Sequence, residues 1–109
     1  MAASKQTSVQ DMKKNAVAAS SFLKNIANPS RLTILCLLTQ GEMCVTDLLD
    51  HLDISQTALS QHLARLRAEE IVGFRREHRT LYYFIQNQNV AVIISALYDI
   101  YCAPQKPRK

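Results

Sequence analysis

Residues 46–68 read TDLLDHLDISQTALSQHLARLRA, and the punctuation of this stretch decides the fold. Thr46 is a side-chain cap for a brief helix over DLLDHL, Asp53 and Ile54 leave room only for a tight connection, and Ser55 caps a longer helix through about Ala68. Two helices joined by so short a turn form a helix-turn-helix. On the second of them Leu59, Leu63 and Leu66 share one side. Thr57, Gln61 and Ala64 fall on the other, flanked by Gln56, Ser60 and Arg65, so the outward face is short and polar.

The flanking segments complete the architecture. Residues 71–85, IVGFRREHRTLYYFI, are β-branched and aromatic on both sides of the polar REHRT and predict a β-hairpin. Upstream, Val9, Met12, Ala16, Ala19, Leu23 and Ile26 recur every three or four residues, the mark of an amphipathic helix. Asn28 then caps a second helix with Pro29 at its first position, and SRLTILCLLTQ carries it to Gly41, a natural stop. Residues 42–45 are a short extended piece. At the other end NVAVIISALYDIYC predicts a last helix, apolar at 90, 93, 94, 97 and 101 and ended by Ala103 and Pro104. The order is helix, helix, helix, helix, hairpin, helix: a mainly α winged helix-turn-helix over residues 9–102. Residues 1–8 form a flexible N-terminus and residues 103–109 a basic tail. No internal repeat is present.

The 109 residues carry a net charge of +4, a mild excess that permits a polyanionic partner without requiring one. Its distribution says more. Residues 42–53 hold four acids and no base, whereas residues 54–85 hold five arginines against three acids. Of these, Arg75, Arg76 and Arg79 gather with His78 around the hairpin turn. A short polar helix face can enter a major groove, where Gln suits adenine and Arg suits guanine, and basic side chains on a hairpin tip can reach phosphates or an adjacent minor groove. On an isolated helix, Ser, Thr and Gln would be ordinary solvent-facing residues; the tight helix pair and the arginine-tipped hairpin shift the balance toward double-stranded DNA. The candidate contacts are Ser55, Gln56, Thr57, Ser60, Gln61, His62, Arg65, Arg76, His78 and Arg79. His62 lies near the edge of the leucine face, so a packing role competes closely with a phosphate contact.

Other functional classes are disfavoured. No paired carboxylates, nucleophile motif or phosphate loop appears, and two glycines offer little means to build such a loop, so the chain is not read as an enzyme and no cofactor is expected. No apolar run approaches a membrane span, and MAASKQTSVQDMKK lacks a signal-peptide core, which points to the cytoplasm. In that compartment Cys36, Cys44 and Cys102 are buried thiols, metal ligands or redox-active groups rather than a disulfide framework.

ANPSRLTILCLL (27–38), EMCVTDLL (42–49), SQTALSQHLARLR (55–67) and RREHRTLYYFI (75–85) together resemble, in order and spacing, the ArsR/SmtB family of bacterial winged-helix repressors, across nearly the whole chain. The resemblance implies a homodimer formed by the first and last helices, with the fourth helix of each subunit reading half of an inverted-repeat operator. The apolar stripes on those two helices suit that role, because a lone chain of this size leaves them partly wet. Two positions depart from the family pattern. Glu70 stands where glycine usually follows the recognition helix, and His78 where glycine is common in the wing turn.

Members of this family differ mainly in inducer. The Cys-Val-Cys segment of arsenic- and cadmium-type members is represented here by Cys44 alone, with Thr46 in the second place, and one thiol holds a soft metal poorly. The Asp and His pairs of zinc-type members are reduced to Asp99 on the last helix. No metal site is therefore expected. ILCLL together with LYxxYC is similar to the BigR/SqrR/YgaV/HlyU-like dithiol subgroup. That likeness implies that Cys36 and Cys102 sense reactive sulfur species or oxidants, and that their crosslinking lowers operator affinity. Each cysteine alone would read as a small buried hydrophobe. Neither has the surroundings of a fast peroxide-reactive thiolate, so sulfur transfer followed by attack of the second thiol is the expected chemistry. A longer sulfur bridge relaxes the Cα separation of roughly 4.4–6.8 Å that a plain disulfide demands. The alternatives are a metal- or arsenite-responsive repressor using Cys44 with an unrecognised partner, and a non-sensing architectural winged helix.

Overall fold

Ser8 starts the first helix: its hydroxyl accepts the Asp11 N–H at 3.1 Å, and α1 runs over Val9–Ile26. The computed structural model describes residues 8–102; residues 1–7 of the N-terminal segment and the 103–109 tail lie outside the described residues. After α1 come α2 (Pro29–Leu38), α3 (Val45–His51), α4 (Gln56–Ala68), β1 (Val72–Glu77), β2 (Thr80–Ile85) and α5 (Gln88–Tyr101). This is the winged helix-turn-helix order expected from the sequence. Among the described residues, no helix is long and apolar enough to cross a membrane.

Caps explain most boundaries. The Asn28 side chain accepts the Arg31 N–H at 3.0 Å ahead of Pro29, and the Ser55 hydroxyl accepts the Ala58 N–H at 3.0 Å. Two boundaries differ from expectation. Helix α2 ends at Leu38, short of Gly41: the Thr39 hydroxyl donates to the Cys36 carbonyl, and the Gln40 and Gly41 N–H groups bond to Leu37 and Leu38 in a closing turn. Helix α3 begins at Val45 with Cys44 at its cap, so Thr46 sits inside the helix rather than before it. The reason is tertiary. Met43 exchanges two backbone hydrogen bonds with Tyr83, of 3.1 and 2.8 Å, which ends the extended piece there, and the Asp47 carboxylate then accepts the Cys44 N–H at 3.4 Å.

One core joins every element. Ile34 and Leu35 of α2, Leu48 of α3, Leu59, Leu63 and Leu66 of α4, Ile71 and Val72 at the hairpin's base, and Val90 and Ile94 of α5 are fully buried, each contributing about 1.5–3 kcal/mol. The two strands pair antiparallel from Val72 opposite Ile85 to Glu77 opposite Thr80, leaving His78 and Arg79 as a two-residue turn.

Both residues that stand in place of family glycines keep a glycine-like backbone: Glu70 and His78 each have φ of 61°. At Glu70 this closes α4. The Ile71 N–H reaches the Leu66 carbonyl at 2.9 Å and the Glu70 N–H reaches Arg67 at 2.9 Å, while the buried Ile71 side chain seals the helix end. At His78 it turns the wing, at the first central position of a hairpin where positive φ is needed. Both side chains thus occupy a backbone region that costs them about 1–2 kcal/mol each.

The outer helices leave apolar surface uncovered. Val9, Met12 and Leu23 on α1 are 65, 53 and 51% exposed, and Val92 and Ile100 on α5 are 68 and 63% exposed. Of all eighteen α1 residues only Ile26 is buried.

Candidate DNA interface and thiol groove

Helix α4 is held by Leu59, Leu63 and Leu66, and that anchoring presents the opposite side to solvent. Gln56, Thr57, Ser60, Gln61 and Ala64 line one shallow open groove there, with Arg65 exposed beside it. Arg76, His78 and Arg79 are exposed on the wing. The arginines are not equivalent. Arg75 Nε donates to Glu42 Oε1 at 2.7 Å and its Nη1 to Glu77 Oε1 at 3.0 Å, with the guanidinium 4.8 Å from the Tyr82 ring centroid. Arg67 lies 4.4 Å over Phe74. Among the described residues, the ion pairs all belong to Arg75, so Arg65, Arg76 and Arg79 keep uncompensated charge on the side where α4 and the wing meet solvent.

His62 is placed differently. It is half-buried, and its Nδ1 lies 3.2 Å from Arg31 Nη1, across from α2. Arg31 can only donate, so His62 accepts at Nδ1 and carries its proton on Nε2. Burial, followed by the nearby Arg31 and Arg65 charges, pushes the His62 pKa down and so favours the neutral ring. Arg31 is itself 9% exposed and also donates through Nε to the Asn25 carbonyl, tying α1, α2 and α4 together. Its role carries no signal in the sequence, because a basic residue in the first turn of a helix reads as solvated.

The second site lies between α2 and α5. An apolar cavity of about 490 Å³ opens there, walled by Leu32, Leu37, Ile94, Leu97, Tyr98 and Tyr101, with Cys36 and Cys102 both in its lining. Cys36 is half-buried and Cys102 is exposed at the C-terminal cap of α5, where its N–H donates to the Tyr98 carbonyl at 2.8 Å. Both are free thiols. Burial and then the neighbouring Cys102 push the Cys36 thiol above the ordinary range. The fold brings these two together; Cys44, at the α3 cap, is not in this lining. Among the described residues, no three His, Cys, Asp or Glu side chains converge on a possible metal position.

Comparison with known proteins agrees with this geometry. The family described as bacterial regulatory protein, arsR family, matches residues 28–73. The chain is 43% identical to the transcriptional activator HlyU of Vibrio cholerae over 94 residues, covering 86% of this chain and 87% of HlyU. It is also 43% identical to the biofilm growth-associated repressor of Agrobacterium fabrum over 95 residues, covering 87 and 81% of the two chains. Among solved structures, reduced HlyU from Vibrio cholerae superposes with a TM-score of 0.83 at 42% identity, covering 87% of this chain and all of that one. BigR from Xylella fastidiosa gives 0.79 at 36%, covering 90% of this chain and all of BigR. With the helix-turn-helix, the wing and these relatives in agreement, the chain belongs to the ArsR family and is a DNA-binding transcriptional regulator, not an enzyme.

Proposed function

We propose that this regulator acts in the cytoplasm as a homodimer on an inverted-repeat operator, and that joining Cys36 to Cys102 through sulfur, by reactive sulfur species or an oxidant, releases it. The observation that carries the reading is that two cysteines distant in sequence line one cavity between α2 and α5 as free thiols. A solved relative was captured in a form described as reduced, which fits a thiol-dependent regulator.

In this reading Gln56, Thr57, Ser60 and Gln61 meet base edges in the major groove, while Ser55 and Arg65 and the wing's Arg76, His78 and Arg79 hold phosphates. His62 acts through Arg31, fixing the tilt of α4. The exposed stripes of α1 and α5 pair with their copies in the partner subunit. A bridge from α2 to α5 then ties the DNA-reading half to the dimer interface. Two connections carry the strain onward: the Met43 and Tyr83 backbone pair, and the ion pair of Arg75 with Glu42 just beyond α2. Half-sites about 34–36 Å apart tolerate little change in the spacing of the two α4 helices.

The test is operator binding by fluorescence anisotropy before and after treatment with a sulfane-sulfur donor. The parent should lose affinity by on the order of tenfold or more, within the usual range of allosteric coupling, and regain it with a reducing agent. Cys36→Ser and Cys102→Ser should hold DNA throughout. Release by the variants as readily as by the parent refutes the reading.

A further inference from the structure

We propose that the groove between α2 and α5 is a binding site for uncharged, apolar carriers of sulfane sulfur, such as dialkyl trisulfides, and that the groove selects the inducer before any sulfur is transferred. The inference rests on the reading of Cys36 and Cys102 as a responsive pair. It adds a noncovalent recognition step and a ligand class.

Four observations support it. Among the described residues, none of the side chains lining the groove is charged; their polar atoms are hydroxyls, one amide and the two thiols. A tripeptide persulfide, bearing two carboxylates and an ammonium, would find no ionic partner among these side chains on entering the groove, which is unfavourable. The volume of about 490 Å³ falls in the range of organic-ligand pockets and far exceeds what a hydrosulfide ion needs. The groove is reached from solvent: Tyr98, Tyr101 and Cys102 in its lining are exposed, while Val92 and Ile100, the exposed aliphatic side chains of α5, lie outside it. Finally, Cys102 is exposed at the mouth while Cys36 is half-buried in the wall, an arrangement suited to attack by the first and resolution by the second.

The chemistry closes without another reactant. Cys102 gives up its thiol proton and its Sγ attacks the central sulfur of RS–S–SR, breaking one S–S bond; the departing RS⁻ takes up a proton. Cys102 then carries –S–SR. The Cys36 thiol, on losing its proton, attacks that same central sulfur, and the second RS⁻ leaves and is protonated. Two protein thiols and one trisulfide become a one-sulfur bridge between Cys36 and Cys102 and two RSH molecules. The thiols are oxidised by two electrons and the trisulfide is reduced by two.

The test pairs two carriers with the same three-sulfur chemistry and opposite polarity, dipropyl trisulfide and glutathione trisulfide, on the reduced full-length chain. Bridge formation is followed by mass spectrometry as the gain of one sulfur and loss of two hydrogens, alongside operator affinity. The ratio of the two rates is compared with that of the urea-unfolded chain. The folded chain should prefer dipropyl trisulfide by on the order of tenfold beyond the unfolded chain's ratio, and Leu97→Lys, which places a charge in the wall, should erase that preference. In the Cys36→Ser/Cys102→Ser double variant, dipropyl trisulfide should still quench tyrosine fluorescence saturably. Equal ratios for folded and unfolded chains, or quenching without saturation, overturn the groove as a selective site while leaving the thiol pair intact. If neither trisulfide forms the bridge or alters DNA affinity, the thiol-pair reading falls and the inference with it.

Discussion

Helices α4 and α5 are nearly equal in length and use their surfaces in opposite ways. Helix α4 buries one leucine stripe, half-buries His62 against Arg31, and gives water a polar face of Gln, Thr, Ser and Arg side chains. Helix α5 buries Val90 and Ile94, sets Leu97, Tyr98 and Tyr101 along the groove beside α2, and exposes Val92, Ile100 and most of Tyr101. A polar outer face is stable alone in water and becomes useful against a polyanion. An apolar outer face is costly alone and calls for another surface. The comparison separates the molecule into a polar end suited to DNA and an apolar end where the proposed self-association and thiol pair lie.

The largest expected effect breaks the anchoring of α4. Leu59→Ala, at a site with no exposure, should destabilise the chain by about 2–5 kcal/mol in urea denaturation. A cost under 1 kcal/mol would mean that the recognition helix is not held by that stripe. Next, Ile100→Lys should halve the mass measured by light scattering, with about 2 kcal/mol or more lost from self-association. Stability of the isolated chain should change little, since Ile100 is 63% exposed. Should the mass stay unchanged, the outer stripe of α5 is not the interface. Gln61→Ala tests the polar face: operator affinity should fall by about 1–3 kcal/mol with an unaltered melting temperature. Glu70→Gly should stabilise the chain by about 0.5–1 kcal/mol, because relief of the strained φ exceeds the added freedom of glycine in the unfolded chain. A loss of stability instead would show that the Glu70 side chain contributes more than its backbone costs.

The smallest effect concerns pH. His62 has its pKa lowered by burial, Arg31 and Arg65, so the unfolded chain binds its proton more readily than the folded one. Its contribution is fully present above the unfolded value of about 6.5 and declines as pH falls through that region toward the folded value. Chemical denaturation at successive pH values should show this slope, and His62→Gln should flatten it. An unchanged slope in the variant would remove His62 from the link between α2 and α4.

Much of the molecule was legible because local chemistry and periodicity agree with the final packing. Ser55 and Asn28 cap where capping residues are expected, the leucines of α4 repeat at helical spacing, and the hairpin strands flank a polar turn. The polar face of α4 follows directly from that spacing. Boundaries decided by distant contacts were not legible. Thr46 is a better cap than Cys44 by intrinsic preference, yet the backbone pair of Met43 with Tyr83 starts α3 earlier. Arg75 looked interchangeable with Arg76 and Arg79 until Glu42, far away in sequence, was seen to hold it. Likewise His62 sat between two roles, and only the position of Arg31 shows which way its ring turns.

The sequence by itself determined the order of elements, the buried stripes and the polar outer face of α4, because these depend on neighbours three or four residues away and on which side chains avoid water. Tertiary structure alone decided what meets across that order. It placed Cys36 with Cys102 in one apolar groove, left Cys44 outside it, removed Arg75 from the free basic surface and imposed a left-handed backbone on Glu70 and His78. Such pairings arise from the closing of one common core. No local propensity encodes the distance between two helices that only packing brings together.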